Sequence, residues 1–199
     1  MTYFDKIENQ KYLEDPFDFA LNELLGAYLC TNIDNKFTVG RITELEVYLG
    51  DCDKACHAYK NKLTDRTATM FKKGGCAYVF LVYGMYSQFN VVVSEEGNAN
   101  AILIRSIEPI EGIKYMQERR KTENIKNLTT GPGKLCQAMG ITYKDHDGIN
   151  LDSDLIWSSP KTQNVEYVSS IRIGVDYAGE DKNNLWRYYI SGNEFISKK

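Results

Sequence analysis

The chain is poor in histidine, with two residues in 199, and it has only four prolines and two tryptophans. No apolar run approaches the roughly 20 residues that a membrane-spanning helix needs, so no membrane partner is expected. The opening Met1-Thr2-Tyr3-Phe4-Asp5 lacks a charged n-region and an apolar h-region, so no secretory leader is expected. Five cysteines, an odd count without such a leader, point to buried thiols in a reducing cytoplasm rather than to a disulfide framework. Cys52-x-x-x-Cys56-His57 offers metal-binding residue types, with Cys76 or Cys136 as further ligands. The second Cys/His pair at zinc spacing is missing, so no metal is expected. Excess positive charge is lacking too. A net charge of −3 and a pI near 5.5 count against a nucleic-acid partner.

No repeat, low-complexity tract or linker interrupts the chain. Its 43% hydrophobic and 12% aromatic residues suffice for one core, so residues 1–199 read as a single domain, expected to be monomeric. Asp15-Pro16 followed by Phe17, Ala20, Leu21, Leu24, Leu25 and Tyr28 reads as an amphipathic helix with Asp15 as N-cap and Pro16 at its first position. Strands are expected over residues 39–49, 76–83, 88–93 and 101–106, the last ending before Glu108-Pro109, and over 170–175 and 186–190. Helices are expected over 110–120 and 134–139, with loop over 62–73. Strands and helices without regular βαβ alternation indicate the α+β class.

Chemistry concentrates in residues 40–90. Leu45, Val47 and Leu49 alternate with Glu44, Glu46 and Tyr48, the period-two pattern of a strand with one core face. The polar set of such a strand commonly faces solvent. The alternative is a carboxylate beside an aromatic wall, which suits a general base next to a bound ring. His57 follows a short polar turn and can share a pocket with Tyr48 or be merely structural. Residues 76–83 and 88–93 flank Gly84 as a hairpin whose tip carries Tyr83, Met85 and Tyr86. Large apolar side chains at an exposed tip call for a partner. Either they fold back on the core or they act as a wedge pushed between stacked bases.

The charge distribution qualifies the acidic total. Lys54, Lys60, Lys62, Arg66, Lys72 and Lys73 face only Asp53 and Asp65 over residues 53–75. Lys114, Arg119, Arg120, Lys121 and Lys126 form a second cluster. Local basic patches can neutralise phosphates on an acidic protein, although a lysine run is commonly just a solvated face.

The ordered motifs of residues 40–90 resemble the core signature of the alkyladenine (3-methyladenine, methylpurine) DNA glycosylase family. The likeness returns at Ile104-Arg105-Ser106-Ile107-Glu108-Pro109, at Thr130-Gly131-Pro132-Gly133-Lys134-Leu135-Cys136-Gln137-Ala138 and at Arg172-Ile173-Gly174-Val175. The resemblance implies one mixed domain around an antiparallel sheet, flanked by helices, with a β-hairpin that enters the DNA minor groove. It implies base-excision repair by a monofunctional enzyme without strand cleavage. Alkylated or deaminated purines (3-methyladenine, 7-methylguanine, hypoxanthine, ethenoadenine) would be flipped from duplex DNA, and no cofactor is implied.

By the same resemblance Glu46 is the general base. Arg105 and the backbone carbonyl of Ile173 complete the cradle of the attacking water. Tyr48, His57, Tyr78, Phe80 and Asn90 hold the flipped nucleotide, and Met70 falls on the pocket pattern. Tyr83 intercalates, with Met85 and Tyr86 beside it, while Lys62, Thr64, Arg66 and Lys134 are the implied DNA-backbone contacts. Three departures are seen: Lys73-Gly74 lacks an expected proline between them, and the other two bear on the site. Phe80 stands where a tyrosine is common, which removes a hydroxyl, and Thr64-Asp65-Arg66 replaces Thr-Pro-Arg, which bears on loop rigidity. A non-catalytic reader of damaged or flipped bases is the rival from another class. It would share wedge and pocket but need no base.

Overall fold

A long strand, β2 (Lys36–Tyr48), organises the molecule. The computed structural model describes residues 4–198, so the Met1–Tyr3 part of the leader reading lies outside the described residues. Leu45 and Val47 enter the main core with Leu49 packed against it, and Glu44, Glu46 and Tyr48 take the opposite face. Both glutamates are fully buried rather than solvated. Residues 36–41 of β2 pair with β1 (Tyr28–Ile33), and residues 44–46 pair with β8 (Arg187–Ile190) along the same edge. The other edge runs beside β5 (Asn100–Glu111). Beyond β5 lie β4 (Tyr86–Val93) and β3 (Ala77–Val82). At the other side β6 (Ile156–Ser159) pairs with β1, and β7 (Tyr167–Ser170) pairs with β8. All these pairings are antiparallel, in one eight-stranded sheet ordered β3-β4-β5-β2-β1-β6 with β8 and β7 branching from β2. With its helices this is the expected α+β fold.

β3 presents alternate residues to its two faces as far as Phe80, and Leu81 is exposed. Ala77 and Val79 join the main core, while Tyr78 and Phe80 join a second cluster with Cys56, Met70, Val92 and Ala101. The sheet is therefore buried on both faces here. The outer edge of β3 is also occupied. Ala77 donates to the Ile149 carbonyl at 2.8 Å, Gly148 donates to the Ala77 carbonyl at 2.8 Å, and the Val79 amide donates to Asp147 at 2.9 Å.

Several boundaries differ from the sequence reading. Asp15 caps as expected, accepting from the Phe17 and Asp18 amides, but α1 (Pro16–Asp18) passes into a π-helix at Phe19–Leu24. Tyr28 is not helical. It opens β1, which turns into β2 through Asp34 and Asn35, both at φ 57°. Two successive left-handed residues make the two-residue turn that matches strand twist. β5 does not stop before Pro109. The proline sits opposite Gly40 at a shift of register, where a missing N–H is tolerated. Gly40 is needed there, since a Cβ would lie 2.4 Å from the Ile107 side chain. α2 therefore starts late, at Ile113–Arg120. α3 (Pro132–Met139) starts two residues earlier than expected, and the short α4 (Tyr143–His146) follows it. Residues 171–175 are not a strand; the chain leaves the sheet after β7 because Arg172 is drawn into a buried ion pair. Among the described residues no helix is long and apolar enough to cross a membrane.

Candidate active site

β2, β3, β5 and the segment after β7 converge on a cavity of about 510 Å³, inside the roughly 300–1,000 Å³ range of small-molecule sites. Glu46 does not itself line the cavity; it lies fully buried behind Tyr48, Arg105 and Ile173, which do line it and which hold its carboxylate. Its Oε2 accepts from the Tyr48 hydroxyl at 2.8 Å and from Arg105 Nη1 at 3.1 Å. Its Oε1 accepts from the Ile173 amide at 2.7 Å. Ile173 thus meets Glu46 through its N–H, a contact separate from the one expected between the Ile173 carbonyl and the attacking water. Burial and the Glu46 charge keep the Tyr48 phenol protonated, well above its ordinary range.

Behind Glu46 stands a second, unanticipated carboxylate. Glu44 receives Arg105 Nε at 3.1 Å, Arg187 Nε at 2.7 Å, the Ser106 hydroxyl at 3.1 Å and the Ser197 hydroxyl at 2.8 Å. Burial alone would raise its pKa. The Arg105 charge, the Ser197 amide and Arg187 prevail and hold it below the ordinary range. Arg105 thus spans two carboxylates, and their charges keep its guanidinium protonated against burial. Arg172 is the other unanticipated support. It grips Asp53 at 2.5 and 2.8 Å, donates to the Val47 carbonyl at 3.0 Å and lies over the Tyr48 and Trp186 rings at 4.7 and 4.9 Å. This contact fixes the Tyr48 ring and delivers the neighbouring Ile173 to Glu46. Tyr177 also lines the cavity, its hydroxyl on the Ala55 carbonyl at 2.9 Å.

The opposite wall is aromatic. Tyr78 and Phe80 stack with centroids 5.4 Å apart, and His57 meets Phe80 edge-on at 4.6 Å. His57 Nδ1 lies 3.0 Å from the Tyr78 hydroxyl, and Nε2 lies 3.0 Å from Arg66 Nη2. Burial, then the Arg66 charge, pushes the His57 pKa down to about 4, so the ring is neutral at pH 7. Asn90 is buried and donates to the Tyr78 carbonyl at 3.0 Å. Met70 lines the cavity too.

Tyr83, 88% exposed, stands at the rim, with Met85 and Tyr86 exposed beside it but outside the cavity lining. Tyr83 has φ 53°, a left-handed conformation that costs a bulky residue about 1–2 kcal/mol. Gly84 follows at φ 67°, so the reversal between β3 and β4 holds two successive left-handed residues and keeps the Tyr83 ring out in solvent.

The implied DNA-backbone residues are dispersed. Lys62 is exposed and outside the cavity. The Thr64 hydroxyl is engaged with Thr67 inside its own loop, a local tie where the proline of the family pattern is missing. Arg66 turns into the cavity, its guanidinium over the Phe80 ring at 5.2 Å. Lys134 lies at the start of α3 and bonds Asn127. The cysteines are free, with Cys52 exposed and Cys30, Cys56, Cys76 and Cys136 buried. Burial pushes the Cys56 and Cys136 thiols up to about 12.

The family model for methylpurine-DNA glycosylase matches residues 10–194. A protein of Clostridium novyi, provisionally named a 3-methyladenine DNA glycosylase, is 41% identical over 98% of this chain and 99% of its own length. A Bacillus cereus protein with the same provisional name is 43% identical over 94% of this chain and 97% of its own. One from Alkaliphilus oremlandii is 41% identical over 96% and 98%. The chain belongs to the methylpurine-DNA glycosylase family.

Proposed function

We propose that this DNA glycosylase flips alkylated or deaminated purines out of duplex DNA and hydrolyses the N-glycosidic bond with a water activated by Glu46. It leaves an abasic site, acts as a monomer and works in the bacterial cytoplasm. One observation carries the reading. A carboxylate has about four acceptor positions, and Glu46 has three filled, by Arg105, Tyr48 and Ile173. A water entering beside Ile173 and Arg105 would take the fourth, on Oε1, and give up its proton there as the sugar becomes cationic. Among the described residues no lysine lines the cavity, so no amine stands ready to form a Schiff base with the sugar. A non-catalytic reader would have no use for a buried carboxylate with one acceptor position left unfilled. Incubating the protein with duplexes carrying 3-methyladenine, 7-methylguanine, hypoxanthine or 1,N6-ethenoadenine, then cleaving at abasic sites, tests the proposal. Release of none of these bases overturns it.

In this reading Tyr83 fills the gap left by the flipped base, and stacking of that kind is worth about 1–3 kcal/mol per base. Tyr83→Ala is expected to reduce the flipped fraction, read as lower fluorescence of an ethenoadenine in the duplex. An unchanged flipping equilibrium would return Tyr83 to a structural role.

Asn90 is fixed by the Tyr78 carbonyl in the cavity wall, and it is the proposed barrier to the 2-amino group of guanine. Asn90→Ser makes room there. Excision of guanine-type bases is expected to rise relative to hypoxanthine, by roughly tenfold for about 1.4 kcal/mol of relieved crowding. A constant ratio in a folded variant would place the selectivity elsewhere.

A further inference from the structure

Arg66, expected on the DNA backbone, is an exposed residue at the cavity wall whose guanidinium rests on His57 and Phe80. A guanidinium donates only and is not deprotonated in proteins. His57 Nε2 must therefore accept from it, which places the ring proton on Nδ1. That proton is donated to the Tyr78 oxygen, 3.0 Å away. The polarity of the chain is set from outside inwards, and the Tyr78 O–H is left to donate to whatever occupies the cavity. Burial raises the Tyr78 phenol above its ordinary range although the Arg66 charge opposes this, so the proton stays in place.

We propose that Arg66, acting through His57, makes Tyr78 a hydrogen-bond donor to the departing base and so tunes this site toward neutral, deaminated purines such as hypoxanthine. The inference rests on the glycosylase reading above. In the step, the water oxygen bonds to the sugar C1′ while the C1′–N bond breaks. The bonding pair leaves with the base, and the water proton passes to Glu46. A cationic N-alkylpurine leaves neutral and needs no donor. A neutral purine leaves as an anion, whose charge the Tyr78 O–H and the guanidinium behind it stabilise until solvent supplies a proton. The same positive charge disfavours a cationic base in the cavity.

Single-turnover excision of hypoxanthine and of 7-methylguanine by the wild type, Arg66→Gln, Arg66→Lys and Tyr78→Phe tests the relay. Arg66→Gln and Tyr78→Phe are each expected to lower the hypoxanthine to 7-methylguanine rate ratio by about tenfold or more. The double variant should fall no further than the more affected single one, and Arg66→Lys should keep part of the ratio. An unmoved ratio in Arg66→Gln overturns the relay. So does an equal slowing of both lesions with a salt slope reduced by about one, the signature of a lost phosphate contact. A wild type that releases none of the four bases named above overturns the glycosylase reading itself, whereas a wild type that is active on 3-methyladenine or ethenoadenine but releases no hypoxanthine, or one whose ratio is unmoved in Arg66→Gln, overturns the relay alone.

Discussion

Glu46→Gln is expected to slow single-turnover excision by roughly 10²-fold or more while lesion binding is largely kept. The amide matches the carboxylate in size, so the pocket keeps its shape. It cannot take a proton from water, and its NH₂ would confront either the Ile173 amide or the Arg105 and Tyr48 donors. Binding is read by the ethenoadenine signal and chemistry by abasic-site formation. Near-normal single-turnover rates would remove Glu46 from the mechanism.

Asp53→Asn should cost stability first and activity second. Its partner Arg172 is fully buried, as is Asp53 itself. Removing one member of such a pair leaves an uncompensated charge and costs about 3–5 kcal/mol. In a chain of this length each kcal/mol lowers Tm by about 2–4 °C, so the melting temperature should drop on the order of 10 °C. Excision should fall as well, even well below the new Tm, because Arg172 carries the Tyr48 ring and the chain that brings Ile173 to Glu46. Thermal melts of wild type, Asp53→Asn and the double variant Asp53→Leu/Arg172→Met check this. The double variant should recover much of the lost Tm, but not the activity. A Tm unchanged in Asp53→Asn would mean that the pair is solvated in solution.

What the sequence made legible was local. The alternation of residues 44–49 placed Glu46 and Tyr48 on one face, and the spacing around Gly84 placed the aromatic tip, because both depend on a few neighbouring residues. The Asp15 cap was readable for the same reason. Partners far apart in the chain were not. Arg172 and Asp53 are 119 residues apart, and Glu44 and Ser197 are 153 apart. Nothing in either segment marks its partner, so Glu44 was given no role and residues 171–175 read as a strand. Two errors were local all the same. Asp34-Asn35 is a turn signal that was passed over in favour of the apolar spacing reaching Tyr28, and Pro109 was taken as a stop although a register shift accommodates it.

The occupied outer edge of β3 has a consequence for life in a crowded cell. A β-hairpin with tyrosine and methionine at its tip and a bare flank would be a template on which other chains could add strands. Here the flank is stitched to residues 147–149 by backbone groups and by Asp147. The edge is thereby closed over Ala77–Val79, and adhesiveness is confined to the short stretch nearest the tip. The protein can present a hydrophobic point to a partner without offering its length as a seed for aggregation.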